Sequence, residues 1–145
     1  MSSTTSTSAD RARLRLLTSD GSTVRVAIPG SDYRLTLLSP AEQSAALRGR
    51  EGRTILGCVQ AKALRLHRAG GGGRFIEPLD GAPRIIQGQV KEVDGSGRRL
   101  LVEAAVPMWI SLAAGDDPAG FAVGDLVNCY VESGAELRAE PADRA

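Results

Sequence analysis

The sequence predicts an all-β fold, mainly strands with one short helix, closed into a small antiparallel β-barrel, with a β-sandwich as the alternative. Three observations predict it. About eight short runs alternate apolar and polar residues, each bounded by Gly, Pro or Asp turn signals. Only one segment carries start and stop signals for a helix. The chain has 145 residues, 42% of them hydrophobic but only 3% aromatic, so one core built from Val, Leu, Ile and Ala is expected. Closure is favoured because it removes the edges that many short strands would expose.

Residues 1–10 are rich in Ser and Thr and read as a disordered tail. Leu14 and Leu16 alternate with Arg13 and Arg15, and Val24, Val26 and Ile28 alternate beyond the turn signal Asp20-Gly21. That pattern is a hairpin over Arg13–Ile28. Tyr33, Leu35 and Leu37 predict a third strand. Ser39 with Glu42 three residues on forms a capping box, and Pro40 sits where its missing N–H costs nothing. The helix therefore covers 40–48, with Gly49 as its stop.

Ile55, Gly57, Val59, Ala61 and Ala63 share one phase, and Leu64 and Leu66 share the other. The slip near Ala63 predicts a β-bulge or a bend between two strands. Gly70 to Gly73 form a loop, and Arg74–Leu79 is a short extended segment. Ile86, Gly88 and Val90 alternate up to a turn at Asp94–Gly97. Leu100, Val102, Ala104 and Val106 form the next strand, and Pro107 is expected to break the ladder or to sit on an edge. Met108, Ile110 and Leu112 continue the phase, and Val127, Cys129 and Val131 make the last strand. The domain is thus expected to span 11–137, with a frayed tail at 138–145. Arg53-x-Ile55-x-Gly57-x-Val59 recurs 31 residues later as Arg84-x-Ile86-x-Gly88-x-Val90, which fits either duplication or shared strand patterning.

Composition narrows the chemistry. One histidine, His67, and two cysteines, Cys58 and Cys129, cannot supply the four ligands of a structural zinc site without carboxylates. No C-x-x-C is present, and both cysteines lie in apolar runs that predict buried free thiols. No metal or cofactor is expected. No stretch approaches the ~20 apolar residues of a membrane span, and the first ten residues lack the apolar segment of a secretion signal. A cytoplasmic location and no membrane partner are therefore expected. The net charge of +1 conceals an asymmetry. From Arg11 to Arg74 there are twelve Lys/Arg against four Asp/Glu, and from Phe75 onward six against twelve. Such charge-asymmetric surfaces allow association with a second copy of the chain.

Lys62, Arg65, His67, Arg68 and Arg74 are the densest basic stretch. A basic strand face can track a phosphate backbone, whereas a solvated outer face needs no ligand at all. By simple alternation Lys62 is out of phase with Arg65, while Arg65 and His67 share a face. Single-strand binders add aromatic platforms, but here only Phe75 is near in sequence, and Tyr33, Trp109, Phe121 and Tyr130 are scattered. Gly70–Gly73 followed by Arg74 resembles a phosphate-binding loop only in composition, since an extended Phe75-Ile76-Glu77-Pro78 follows instead of a helix. His67 has no visible catalytic partner, and Asp116-Asp117 reads as a solvated turn. Trp109, opposite in phase to Met108 and Ile110, either packs under a loop or contacts a partner.

Gly88-x-Val90-x-x-Val93-Asp94, the glycine turn after it, Leu100–Val106 and Phe121-x-Val123-Gly124-Asp125-x-Val127 resemble OB-type β-barrel domains over Ile85–Leu137. The resemblance implies a closed barrel that binds a partner and, as in many such domains, RNA. Asp94-Gly95-Ser96 is similar to the start of the D-x-S-x-x-G motif of PilZ barrels, with Arg99 in the glycine position and the R-x-x-x-R pair only at Arg11 and Arg15. That resemblance implies a cyclic dinucleotide. The sequence therefore predicts a non-enzymatic binding or interaction module. The alternatives are RNA or single-stranded DNA binding through Lys62, Arg65, His67, Arg68, Arg74 and Trp109, a PilZ-like barrel, and a small enzyme using His67 or carboxylates.

Overall fold

The computed structural model describes residues 8–40 and 44–140. The expected disordered tail lies outside the described residues except for Ser8–Asp10, which form a 3₁₀ turn. Among the described residues eleven strands make one sheet: β1 (Ala12–Ser19), β2 (Thr23–Ala27), β3 (Arg34–Leu38), β4 (Thr54–Arg68), β5 (Phe75–Glu77), β6 (Asp80–Gly81), β7 (Ile85–Asp94), β8 (Arg99–Glu103), β9 (Pro107–Ser111), β10 (Leu126–Val131) and β11 (Glu136–Ala139). The fold is all-β, as the alternation predicts. Strand β11 takes in Arg138 and Ala139, which the sequence reading left in the tail.

The sheet closes twice. In the first ring β1 pairs β2, β2 pairs β3, β3 pairs β11, β11 pairs β4, and β4 returns to β1. In the second, β7 pairs β8, β8 pairs β9, β9 pairs β4, β4 pairs β10, and β10 returns to β7. Each is a five-stranded closed ring of the OB type, with a parallel contact at β3–β11 and at β4–β9. Strand β4 belongs to both. Its first half pairs β1 and β11 through Thr54–Gln60, and its second half pairs β9 and β10 through Val59–Arg68. The chain's last strand goes back to the first ring. Each ring therefore takes its fifth strand from the other half of the chain.

The spacing of equivalent elements reveals the internal repeat. β1 and β7 start at Ala12 and Ile85, and β3 and β9 at Arg34 and Pro107, 73 residues apart in both cases. The 31-residue echo relates strands that are not equivalent, fourth in one ring and first in the other. What it marks is two inward-facing glycines. A Cβ on Gly57 would stand 2.8 Å from the Arg138 carbonyl oxygen, and one on Gly88 would stand 2.3 Å from that of Glu103.

Local chemistry explains the connections. In the first ring the described helical residues are α1 (Ser44–Leu47), shorter than the expected 40–48, and residues 41–43 lie outside the described residues. Gly49 takes φ +77° as a helix stop, and Leu47 is fully buried in the core. In the second ring Asp117 caps a 3₁₀ turn, Pro118–Gly120, at the corresponding place. Pro107 opens β9 rather than interrupting a strand: the ladder stops after Glu103 and resumes at Pro107, opposite it. The core is aliphatic as composition predicts, with Leu14, Leu16, Leu35, Ile55, Ile86, Leu100 and Ile110 among its fully buried side chains.

Candidate ligand-binding face

The phase slip in β4 is a bulge. Tyr130 faces Arg65 and Val131 faces Ala63, so Leu64 is the extra residue. It turns both Leu64 and Arg65 outward while Ala63 and Leu66 stay inside. The sequence placed Lys62 out of phase with Arg65. The bulge corrects this, and Lys62, Arg65 and His67 all lie on the outer side.

Two cross-strand rows run over β5, β7, β10 and β4. One is Glu77, Ile85, Tyr130 and Arg65. The other is Phe75, Gln87, Asn128 and His67. Alternation along each strand puts these two rows on the same face, about 7 Å apart. Beside them opens a groove of about 720 Å³ lined by Tyr33, Leu64, Phe75, Leu79, Arg84 and Tyr130 among others. Leu64 is 60% exposed, Leu79 51% and Tyr130 42%, so large apolar side chains stand uncovered here. The Arg65 guanidinium lies over the Tyr130 ring at 5.6 Å. Tyr33 accepts a hydrogen bond at its hydroxyl from the Ile76 N–H at 3.1 Å, which ties the first ring to β5.

Three of the aromatic residues that are far apart in sequence thus come together in space. Tyr33, Phe75 and Tyr130 meet in one groove because closure brings the β2–β3 connection, β5 and β10 together. Sequence spacing carried no signal of this. Gln87 was missed as well, since it reads as one polar residue between Ile86 and Gly88. It is only 5% exposed. Its Nε2 donates to the Gly71 and Gly73 carbonyls at 2.9 and 2.8 Å, and its Oε1 accepts from Asn128 Nδ2 at 2.8 Å. The glycine loop is therefore laid over this face, just before Arg74 and β5.

The basic residues separate into roles. Arg65 and His67 lie on the face itself. Lys62 lies one row further along β4 and lines a separate cleft of about 370 Å³, in which Glu132 and Glu136 oppose its charge. Arg68, at the strand end, donates to Asp125 Oδ2 at 3.2 Å and to the Gly120 carbonyl, with Phe121 under its guanidinium. The Ala122 N–H and then Arg68 hold the Asp125 carboxyl below the usual range. Arg74 is exposed at the end of the glycine loop.

Trp109 is elsewhere, on the β8–β9 side of the second ring. It is only 7% exposed, donates its indole N–H to Asp10 Oδ2 at 3.1 Å, and carries Arg99 over its ring at 4.0 Å. The N-terminal 3₁₀ turn covers it. Asp94, the residue matched to the PilZ motif, accepts bonds from Ser96, Gly97 and Arg99 and closes its own turn. Arg99 and the Gly97 N–H hold its carboxyl below the usual range. Both cysteines are free. Burial pushes the Cys129 thiol up to about 12, and burial followed by Asp10 raises that of Cys58. Neither is an activated nucleophile. Among the described residues no three His, Cys, Asp or Glu side chains gather to hold a metal ion, and no helix is long and apolar enough to cross a membrane.

No family model matches the chain, and no curated protein matches it. Among solved structures the chain is similar to the cytoplasmic molybdate-binding protein ModG with molybdate bound. Identity is 13% and the TM-score 0.48, over 91% of this chain and 95% of that one.

Proposed function

We propose that the protein is a non-enzymatic binding module that holds an unpaired stretch of nucleic acid across the outer face of its second ring. The observation that supports this reading is the meeting of Phe75, Tyr130 and Tyr33 beside Arg65 and Arg84 in one open groove. The exposed Tyr130 ring and the half-buried Phe75 and Tyr33 offer stacking surfaces to bases of any identity, and arginines beside them meet the phosphates. The aromatic platform that the sequence does not show is supplied by these three residues, while Trp109 and Phe121 lie outside the groove. Lys62 and Arg68 contribute less than the basic stretch implied, because Arg68 is paired with Asp125 and Lys62 lines a separate cleft with Glu132 and Glu136. Trp109 is a packing residue in this reading.

Fluorescence anisotropy with a labelled oligouridylate is the test. With three phosphates met by Arg65, Arg74 and Arg84, raising salt from about 50 to 200 mM weakens binding about 20-fold. Tyr130→Ala weakens it at least about fivefold, the cost of one lost stacked base. Arg68→Ala leaves it within about twofold. Binding that ignores both Tyr130 and salt contradicts the proposal.

A further inference from the structure

The glycine loop over this face is fastened in one orientation. Gln87 is a buried amide with every polar atom engaged, two donors to the loop and one acceptor to Asn128. In a trans peptide the carbonyl and the next residue's N–H point in opposite directions. Since the Gly71 and Gly73 carbonyls are turned in toward Gln87, the N–H groups of Gly72 and Arg74 are turned out. Among the described residues neither of those N–H groups meets a protein acceptor. Gly72 takes φ +102° and Gly73 +77°, the left-handed region in which glycine is at ease. A Cβ on Gly72 would stand 3.2 Å from Gln87 Nε2, a tight approach at a backbone conformation that already strains any other residue. Two outward N–H donors on alternate peptides thus stand without a protein acceptor, beside the exposed Arg74 side chain, and backbone N–H groups and guanidinium are both donors to phosphate oxygens.

We infer that Gly72, Arg74 and the amide of Gln87 that positions them form a phosphate subsite. It receives a backbone phosphate of the strand whose bases stack in the adjoining groove. The inference rests on the nucleic-acid reading above and names the part of that site the stacking residues do not supply. Gln87 is a positioning residue: it touches no ligand, and its side chain aims the loop. His67, separated from Gln87 only by Asn128 in the same row, lies at the edge of the subsite.

The test is the same anisotropy titration, run at several salt concentrations on wild type and three variants. Gln87→Glu is nearly isosteric, keeps an acceptor for Asn128, and sets negative charge against the two loop carbonyls. Gln87→Met removes the donors without adding charge. Gly72→Ala strains the loop while keeping the Gln87 side chain, and covers the case in which a Gln87 variant fails to fold. Each is expected to bind about fivefold more weakly. Each is also expected to flatten the log–log salt slope by about 0.7, the signature of one lost phosphate contact. A purely structural role for Gln87 lowers the melting temperature but leaves that slope unchanged. If Tyr130→Ala weakens binding while the folded variants keep the wild-type affinity and slope, the subsite is refuted and the groove stands. If wild type binds no oligonucleotide at any salt, the nucleic-acid reading fails, and the subsite with it.

Discussion

Gly88 lies where the sheet leaves no room for a side chain. Its missing Cβ would sit 2.3 Å from the Glu103 carbonyl oxygen and 2.8 Å from Val102 Cγ1. Gly88→Ala is expected to cost about 2–3 kcal/mol, read by urea denaturation, because the obstacle is backbone and cannot rotate away. Asp125 carries a pH dependence of definite sign. Its carboxyl is held low in the folded protein, so its stabilising effect is present above the ordinary carboxylate range, near pH 4, and is lost as pH falls through the lowered value. The melting-temperature gap between wild type and Asp125→Asn is therefore widest near pH 7 and closes below about pH 4. Trp109, the only tryptophan, reports on its own cover. Asp10→Ala is expected to shift its emission to the red as the N-terminal turn loosens. At this scale the sequence was legible wherever the signal was local. The phase slip near Ala63 pointed to a bulge or a bend, and the structure has the bulge, at Leu64; of the two thiols expected to be buried from their apolar runs, Cys129 is buried and Cys58 only half-buried. Gln87 was not legible, because its role depends on a loop fourteen residues upstream folding back over it.

Among the elements, β4 is unusual in serving both rings. The sequence showed its full length as two phases of alternation and left open whether that meant one bulged strand or two bent ones. Alternation tells which residues face inward but not which strand lies alongside. That is why the exchange of fifth strands between the halves was invisible. It is also why the echo of Ile-x-Gly-x-Val was open to reading as a repeat. Gln60 marks the junction, facing Glu136 of β11 on one edge and Trp109 of β9 on the other. Proline at the next position, Ala61→Pro, sets a rigid ring in a strand paired on both sides and is expected to unfold the protein altogether rather than one ring. Circular dichroism of the purified variant checks it.

For the whole molecule, shared strands predict shared stability. The rings are expected to melt as one, with the Trp109 emission of the second ring and the far-ultraviolet signal of both following the same curve in urea. The charge asymmetry acquires a meaning at this scale. Arg11 pairs Glu140, Arg25 pairs Asp80 and Arg68 pairs Asp125, so each of these bridges joins the basic part of the chain to the acidic part. The all-β class and the aliphatic core were legible because they rest on alternation and composition. The aromatic groove was not, since closure alone brings Tyr33, Phe75 and Tyr130 together. The most direct test of the central claim is an amide ¹H–¹⁵N spectrum of the full chain titrated with oligouridylate. Resonances of residues 64–67, 71–77, 84–87 and 128–131 should move together and saturate. Shifts confined to the first ring's Arg13, Arg15 and Arg34, or no shifts at all, would contradict it.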